Sequence, residues 1–267
     1  MKEVKSISSA QNPLIKKVLL LKEKSRERRK TGLFVVEGVR EIELAQKGGY
    51  TIKTLLYCPE ILSDFTNNAL SNDPTIECVQ LSKSVYEKLA HRGSTEGLIA
   101  LAQSKEHTLD QIAFTNKNPL ILVAEAPEKP GNIGALLRTA DAADIDAVLI
   151  ANPRSDLYNP NIIRSSVGCV FTTQIGMGNS TEILEFLKKK NISIFCAALT
   201  ASKNYVECNY KNGSAIVVGT EATGLSDTWL QRSDQNIIIP MQGEIDSMNV
   251  SVSAAILIFE AKRQRGF

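Results

Sequence analysis

Three short stretches of this 267-residue chain gather side chains able to hold and orient a ligand. The first is Glu125-Ala126-Pro127 with Gly131-Asn132-Ile133-Gly134 and Arg138-Thr139-Ala140. The second is Gly219-Thr220-Glu221 with Gly224-Leu225, and the third is Ile239-Pro240-Met241 with Ser247-Met248-Asn249-Val250. An asparagine amide donates and accepts, a carboxylate accepts, and a guanidinium pairs with anions. Glycine lets a backbone approach a ligand closely or take a positive φ. Each residue also has a purely structural role open to it: Asn132, Ser247 and Asn249 can cap helices, and Arg138 can be a solvated charge. Other chemistries are poorly supplied. His91 and His107 are the only histidines, too few for a His-rich metal site or a Ser/His triad, so no metal is expected.

The elements that must position these residues follow from the apolar pattern. Residues 120–124, 147–151, 170–175, 192–198, 215–219 and 236–240 read as strands. Helical patterns fall at 133–143, 161–166, 181–190, 226–231 and 250–265. Continuous apolar strands alternating with helices predict a parallel sheet covered on both faces, with ligands at the carboxyl ends of its strands. No G-x-G-x-x-G follows the first of these strands, so the dinucleotide fingerprint is missing. Upstream, strands at 33–36, 51–57 and 97–102 with helices at 40–46 and 83–90 predict a smaller α/β module over 31–104. Residues 105–118 are polar and weakly patterned and read as a linker to a domain over 119–267.

Charge is unevenly spread. Residues 1–30 carry ten Lys/Arg against three acids, a surplus of seven, so the remainder of a chain with net charge +2 carries a deficit of five. A basic arm on an acidic body suggests a polyanionic partner, with Lys22, Arg26, Arg28 and Arg29 as RNA-contact candidates. An amphipathic helix with Leu14, Val18 and Leu21 on one face is the structural alternative. Five scattered cysteines without a CxxC pair read as reduced and structural. No apolar run approaches the ~20 residues of a membrane span, and the first residues lack the apolar core of a secretion signal. A cytoplasmic protein without membrane partners is expected.

Together the three stretches read N-x-G-x-x-x-R-T-A, G-x-E-x-x-G-L and I-P-M followed by S-M-N-V-S-V-S. In order and spacing they resemble the three signature motifs of the SpoU family of RNA ribose 2'-O-methyltransferases, part of the SPOUT superfamily. The resemblance covers residues 118–265, and the part before it resembles the ribosomal-protein-like RNA-binding domain that many members carry in front. It implies an α/β fold with a C-terminal trefoil-knot methyltransferase domain, one of the rare knotted topologies. It implies S-adenosylmethionine bent against the knot loops, which by position hold Leu199, Thr200, Gly219, Ile239, Met241 and Met248. The catalytic set it implies is Arg138 at the ribose 2'-hydroxyl, with Asn132, Glu221, Ser247 and Asn249 around it. Met248 stands where members commonly have leucine, a swap of similar volume.

Residues 159–168 resemble the segment between the first two motifs, whose arginine, here Arg164, faces RNA; Asn159 and Pro160 starting a helix with Arg164 as a surface charge is the alternative. The family also implies a homodimer through its last helix, where Val252, Ala255, Ile256 and Phe259 form an apolar stripe with Leu257 and Ile258 beyond it. The expected substrate is ribosomal RNA before transfer RNA. An RNA-binding module that has lost catalysis is the competing class, and the intact set of five polar residues speaks against it.

Overall fold

The computed structural model describes residues 5–62, 73–91, 96–199, 203–244 and 247–266. Its chain forms two units, one of Met1–Lys105 with Leu157–Thr172 and one of Glu106–Asp156 with Thr173–Phe267.

The first unit runs β1 (Lys5–Ile7), α1 (Pro13–Glu23), α2 (Ser25–Thr31), β2 (Leu33–Glu37), α3 (Val39–Lys47), β3 (Ile52–Tyr57), β4 (Glu77–Leu81), α4 (Lys83–Leu89) and β5 (Leu98–Gln103). The sheet order is β1-β4-β3-β5-β2. From Lys5 onward the basic segment is therefore no projecting arm. Its β1 pairs in parallel with β4, and α1 buries Ile15, Val18 and Leu21 at helical spacing. Asn12 caps that helix through Leu14 N–H, and Pro13 supplies a first helical residue whose φ is already set.

Two of the four basic candidates are corrected by this packing. Arg28 is buried, and its Nη1 donates to the carbonyls of Leu21 (2.6 Å) and Lys22 (3.3 Å). The last carbonyls of α1 have no partner within the helix, and the guanidinium of α2 supplies one. Lys22 is half-buried, paired with Glu37 at 3.0 Å and bonded to the Leu89 carbonyl. Arg26 and Arg29 remain exposed.

The remaining chain runs β6 (Leu120–Glu125), α5 (Pro130–Ala142), β7 (Ala147–Ala151), α6 (Pro160–Ser165), β8 (Ile175–Gly178), α7 (Ser180–Lys189), β9 (Ser193–Ala197), β10 (Lys203–Asn204), β11 (Ser214–Val218), α8 (Asp227–Arg232), β12 (Gln235–Ile238) and α9 (Val250–Gln264). Apart from α6, these build the second unit. Its sheet is parallel throughout, in the order β10-β12-β9-β11-β6-β7-β8. The chain steps outward through β7 and β8, then places β9 beyond a gap that β11 later fills beside β6. Strands β6, β7 and β11 are buried along their whole length, as their unbroken apolar runs require.

Several expectations give way here. Residues 170–175 form no strand: Cys169–Phe171 is a 3-10 turn following Gly168 at φ 82°, and the strand starts at Ile175. Cys169, Val170 and Phe171 are consecutive buried residues of the first unit, which an apolar run signals as readily as a strand. The expected linker 105–118 is largely part of the second unit. Ile112 is in its core, Leu109 and Phe114 pack on it, and the His107 carbonyl accepts from Met177 N–H at 2.7 Å. Three apolar residues spread along a polar stretch were enough to pin it. β1, β4 and β10 fall outside the predicted strands. In α9 the core face is Ala254, Leu257, Ile258 and Ala261, whereas Val252 and Phe259 of the predicted stripe are exposed at 48% and 41%.

Candidate active site

The carboxyl ends of β9, β11 and β12 open onto a cavity of ≈ 390 Å³. Leu199, Gly219, Ile239, Met241 and Met248 all line it, as does Ser247; Thr200 lies outside the described residues. The two glycines of the second motif serve different ends. A Cβ on Gly219 would lie 2.2 Å from the Gly224 carbonyl carbon and 2.5 Å from Leu225 N, so this position needs the space. Gly224 has open space around it and takes φ +67°, so it needs the conformation. Between them Thr220 and Gly224 exchange two N–H···O bonds of 3.0 Å, which closes the loop.

The lining is chemically selective. Its walls are apolar, from Val218, Leu225, Leu230 and Ile237 to the two methionines, and Glu221 is the one ionisable side chain among its described residues. Nothing in that lining would neutralise a phosphate, whereas a carboxylate rim and apolar walls accept a flat apolar group bearing positive charge. The volume falls in the range of small-molecule pockets, ~300–1,000 Å³. S-adenosylmethionine, with its purine and its sulfonium, fits that donor set; a dinucleotide does not.

A smaller cavity of ≈ 90 Å³ adjoins, bounded by Lys129, Asn132, Leu136, Glu221 and Val250. Here the three motifs meet on one oxygen. Glu221 Oε1 accepts from Asn132 Nδ2 at 2.9 Å and from Asn249 Nδ2 at 2.8 Å, and Asn249 Nδ2 also donates to Asn132 Oδ1 at 3.2 Å. Glu221 Oε2 pairs with Lys129. That lysine, followed by Asn132, holds the Glu221 carboxyl below its usual range. Lys129 was missed from sequence; its place just before Pro130, at a helix start facing a carboxylate, was the available signal.

Asn132 is not a helix cap. Pro130 opens α5 two residues earlier, which puts Asn132 in the third helical position and frees its amide for Glu221. Asn249 does cap its helix, with Oδ1 accepting from Ser251 N–H at 3.0 Å, and it uses its amide nitrogen in the cluster as well. Glu125, from the first stretch, is buried. It accepts from Ser226 N–H (2.8 Å) and from the hydroxyls of Ser226 (2.7 Å) and Ser180 (3.1 Å), and Ser180 Oγ in turn accepts from Trp229 Nε1 at 2.9 Å. It ties the starts of α7 and α8 beneath the site.

Arg138 is exposed and makes no hydrogen bond or ion pair with the described residues. Six residues past Asn132, it lies about 9 Å further along α5 and about 120° around it. Glu221 thus holds the two amides and Lys129, and the structure does not bring Arg138 into that cluster. Arg164 is exposed on α6 in the first unit, with Nη2 donating to Asn161 Oδ1 at 2.9 Å. Among the described residues no group of three or more His, Cys, Asp or Glu is placed to hold a metal ion, and no helix is long and apolar enough to cross a membrane.

Comparison with known proteins meets this geometry from the other side. Residues 119–259 match the model of the SpoU rRNA Methylase family, and residues 12–100 match the MRM3-like substrate binding domain. The chain is 29% identical to the 23S rRNA (guanosine(2553)-2'-O)-methyltransferase RlmP of Bacillus subtilis, over 97% of this chain and 100% of that one. The crystal structure of an RNA 2'-O ribose methyltransferase superposes with a TM-score of 0.84 at 39% identity, over 98% of this chain and 100% of that one. The SpoU methyltransferase AviRb of Streptomyces viridochromogenes, in complex with the cofactor AdoMet, gives 0.87 at 26% identity over 96% and 98%. With the three motifs converging on Glu221 and the family model spanning more than half of its length, the chain belongs to the SpoU rRNA methylase family.

Proposed function

We propose that this protein methylates a ribose 2'-hydroxyl in ribosomal RNA, using S-adenosylmethionine held in the ≈ 390 Å³ cavity. The observation that carries this is the joining of Asn132, Asn249 and Lys129 on Glu221 at the edge of a cavity whose lining suits a cation. Bound there, the cofactor supplies a methyl group on a positively charged sulfur, already a good leaving group.

The chain's residues have the remaining tasks of aligning the 2'-oxygen and easing the loss of its proton. Hydrogen counting separates the two asparagines. Asn249 Nδ2 spends both hydrogens, on Glu221 and Asn132, and its Oδ1 accepts from both Ser251 N–H and Ser251 Oγ, so its task is to hold Asn132. Asn132 keeps one N–H for a ligand. Ser247 offers a hydroxyl at the cavity wall. Arg138, with no donor spent on the described residues, binds the RNA phosphate and stabilises the developing alkoxide, because a guanidinium offers donors only and is a poor base.

The first unit presents RNA contacts through Arg26, Arg29 and Arg164, all exposed. The protein works in the cytoplasm as a homodimer through α9, whose exposed Val252 and Phe259 are the apolar surface a second copy would cover. The insertion of β11 beside β6 late in the chain is the strand order in which we place the trefoil knot. Incubation with bulk ribosomal RNA and methyl-labelled S-adenosylmethionine tests the reading: label enters ribose 2'-oxygens with the parent protein and not with Arg138→Ala, while that variant keeps its cofactor affinity. Near-normal turnover by Arg138→Ala would sink the role given to Arg138, and absence of label with the parent would sink the function.

A further inference from the structure

We infer that the RNA-binding unit is discontinuous, with residues 157–172 docked into it as a wedge, and that Tyr158 and Phe171 are positioning residues for Arg164. Only the Arg164 part rests on the function proposed above. In sequence the segment belongs to the methyltransferase region, between β7 and β8, which pair with each other in the second unit's sheet. The stretches on either side of α6, residues 152–159 and 166–174, are both longer than the ~2–6 residues usual between strand and helix in such units.

The docking is aromatic at both ends of the wedge. Phe34 of β2 stacks on Tyr158 (centroids 4.2 Å apart, planes at 19°) and on Phe171 (5.9 Å, 24°), and Tyr50 meets both rings edge-on at 6.1 and 5.1 Å. The Tyr158 hydroxyl accepts from Lys105 N–H at 2.8 Å. Between these ends Ile162, Ile163 and Val170 are buried.

Two glycines have their explanation in this contact. Gly48 ends α3 at φ −74°, ψ 3°, a conformation open to any residue, yet a Cβ there would lie 2.0 Å from the Phe171 carbonyl oxygen. Gly168 takes φ +82°, and a Cβ on it would lie 2.7 Å from Leu44 Cδ1 of α3. The wedge needs bare backbone on both sides to seat. Once seated, it presents Arg164 at a cavity of ≈ 190 Å³ shared with Lys22, Glu37 and His91. The arginine that the methyltransferase sequence encodes is thus delivered to the unit that carries Arg26 and Arg29.

Hydrogen exchange read by mass spectrometry on the full chain tests this. At an undocked helix end with this φ, Gly48→Ala would be neutral or mildly stabilising. Docking predicts the opposite: exchange at least about tenfold faster in β2, α3 and β5, with β6 and β11 unchanged. Tyr158→Phe, which removes only the hydroxyl, gives the same pattern more weakly and keeps the test open should Gly48→Ala fail to fold. Unchanged exchange in β2, α3 and β5 in both variants, or acceleration confined to β7 and β8, overturns the wedge. For Arg164, filter binding to bulk ribosomal RNA should weaken equally in Arg164→Ala and Gly48→Ala, with cofactor affinity retained. Full RNA affinity in Arg164→Ala overturns its role. An absence of methyl transfer by the parent protein would refute the proposed activity while leaving the exchange result standing.

Discussion

Adding one methyl group at Gly219 separates space from conformation in the loop that lines the cavity. A Cβ there meets three backbone atoms, Gly224 C at 2.2 Å, Gly224 O at 2.3 Å and Leu225 N at 2.5 Å, where ordinary contact begins at 3.4 Å. None of the three is the end of a flexible side chain, so the loop must move by about an ångström to admit the methyl. Overpacking of this kind costs ~1–3 kcal/mol. The movement also breaks the Thr220–Gly224 pair of 3.0 Å hydrogen bonds, each worth ~0.5–1.5 kcal/mol net. The total is roughly 2–6 kcal/mol, concentrated in a loop that lines the cavity. If binding requires the native loop, even the lower end weakens S-adenosylmethionine about 30-fold at ~1.4 kcal/mol per decade. Gly224→Ala is the matched control: it has space but φ +67°, a conformation costing an alanine ~1–2 kcal/mol. Isothermal titration of cofactor into both variants should therefore rank Gly219→Ala as the weaker binder. Affinity within about threefold of the parent in Gly219→Ala, or the reverse ranking, would refute the reasoning.

The pH dependence of the cluster has a definite sign. Because Lys129 and then Asn132 hold the Glu221 carboxyl below its usual range, the favourable contribution is present above the ordinary carboxylate pKa of ~4.3 and is lost as pH falls through the lower folded value. The cluster should thus persist at mildly acidic pH, and the acid limb seen in the Asn132 amide resonances on NMR titration should vanish in Glu221→Gln. Arg28 and Arg29 should behave as opposites although they are sequence neighbours. Arg28→Ala removes buried, charged hydrogen bonds and should cost ~1.5–3 kcal/mol in urea unfolding. Arg29→Ala should leave stability alone and lower the salt slope of RNA binding by about 0.7–0.9. Equal stability loss in the two variants would contradict the packing.

The sequence carried the polar residues of the site because strand-to-helix junctions are marked by local signals, apolar run, glycine, polar residue and a new period. The same signals could not say what Asn132 does. A polar residue near a helix start reads as a cap, and only the observed start at Pro130 moves it to a position where its amide reaches Glu221. Likewise the i, i+3, i+4, i+7 stripe of α9 was legible as Val252, Ala255, Ile256 and Phe259, but a second stripe, Ala254, Leu257, Ile258 and Ala261, takes the core. A helix apolar on two faces does not announce which one its own chain covers.

By itself the sequence determined the alternation of apolar strands with helices, hence a parallel sheet, and the identity of the three motifs at its carboxyl edge, because both are written in short periods and fixed residue types. The tertiary structure alone decided which groups share an atom. Glu221 Oε1 joins residues 89 and 28 positions away, Arg28 is buried because the end of another helix lacked a donor, and residues 157–172 leave their sequence neighbours for a distant aromatic groove. Each of these is set by unsatisfied hydrogen-bonding groups and uncovered apolar surface that come into being only when remote segments meet, so no local pattern can encode them.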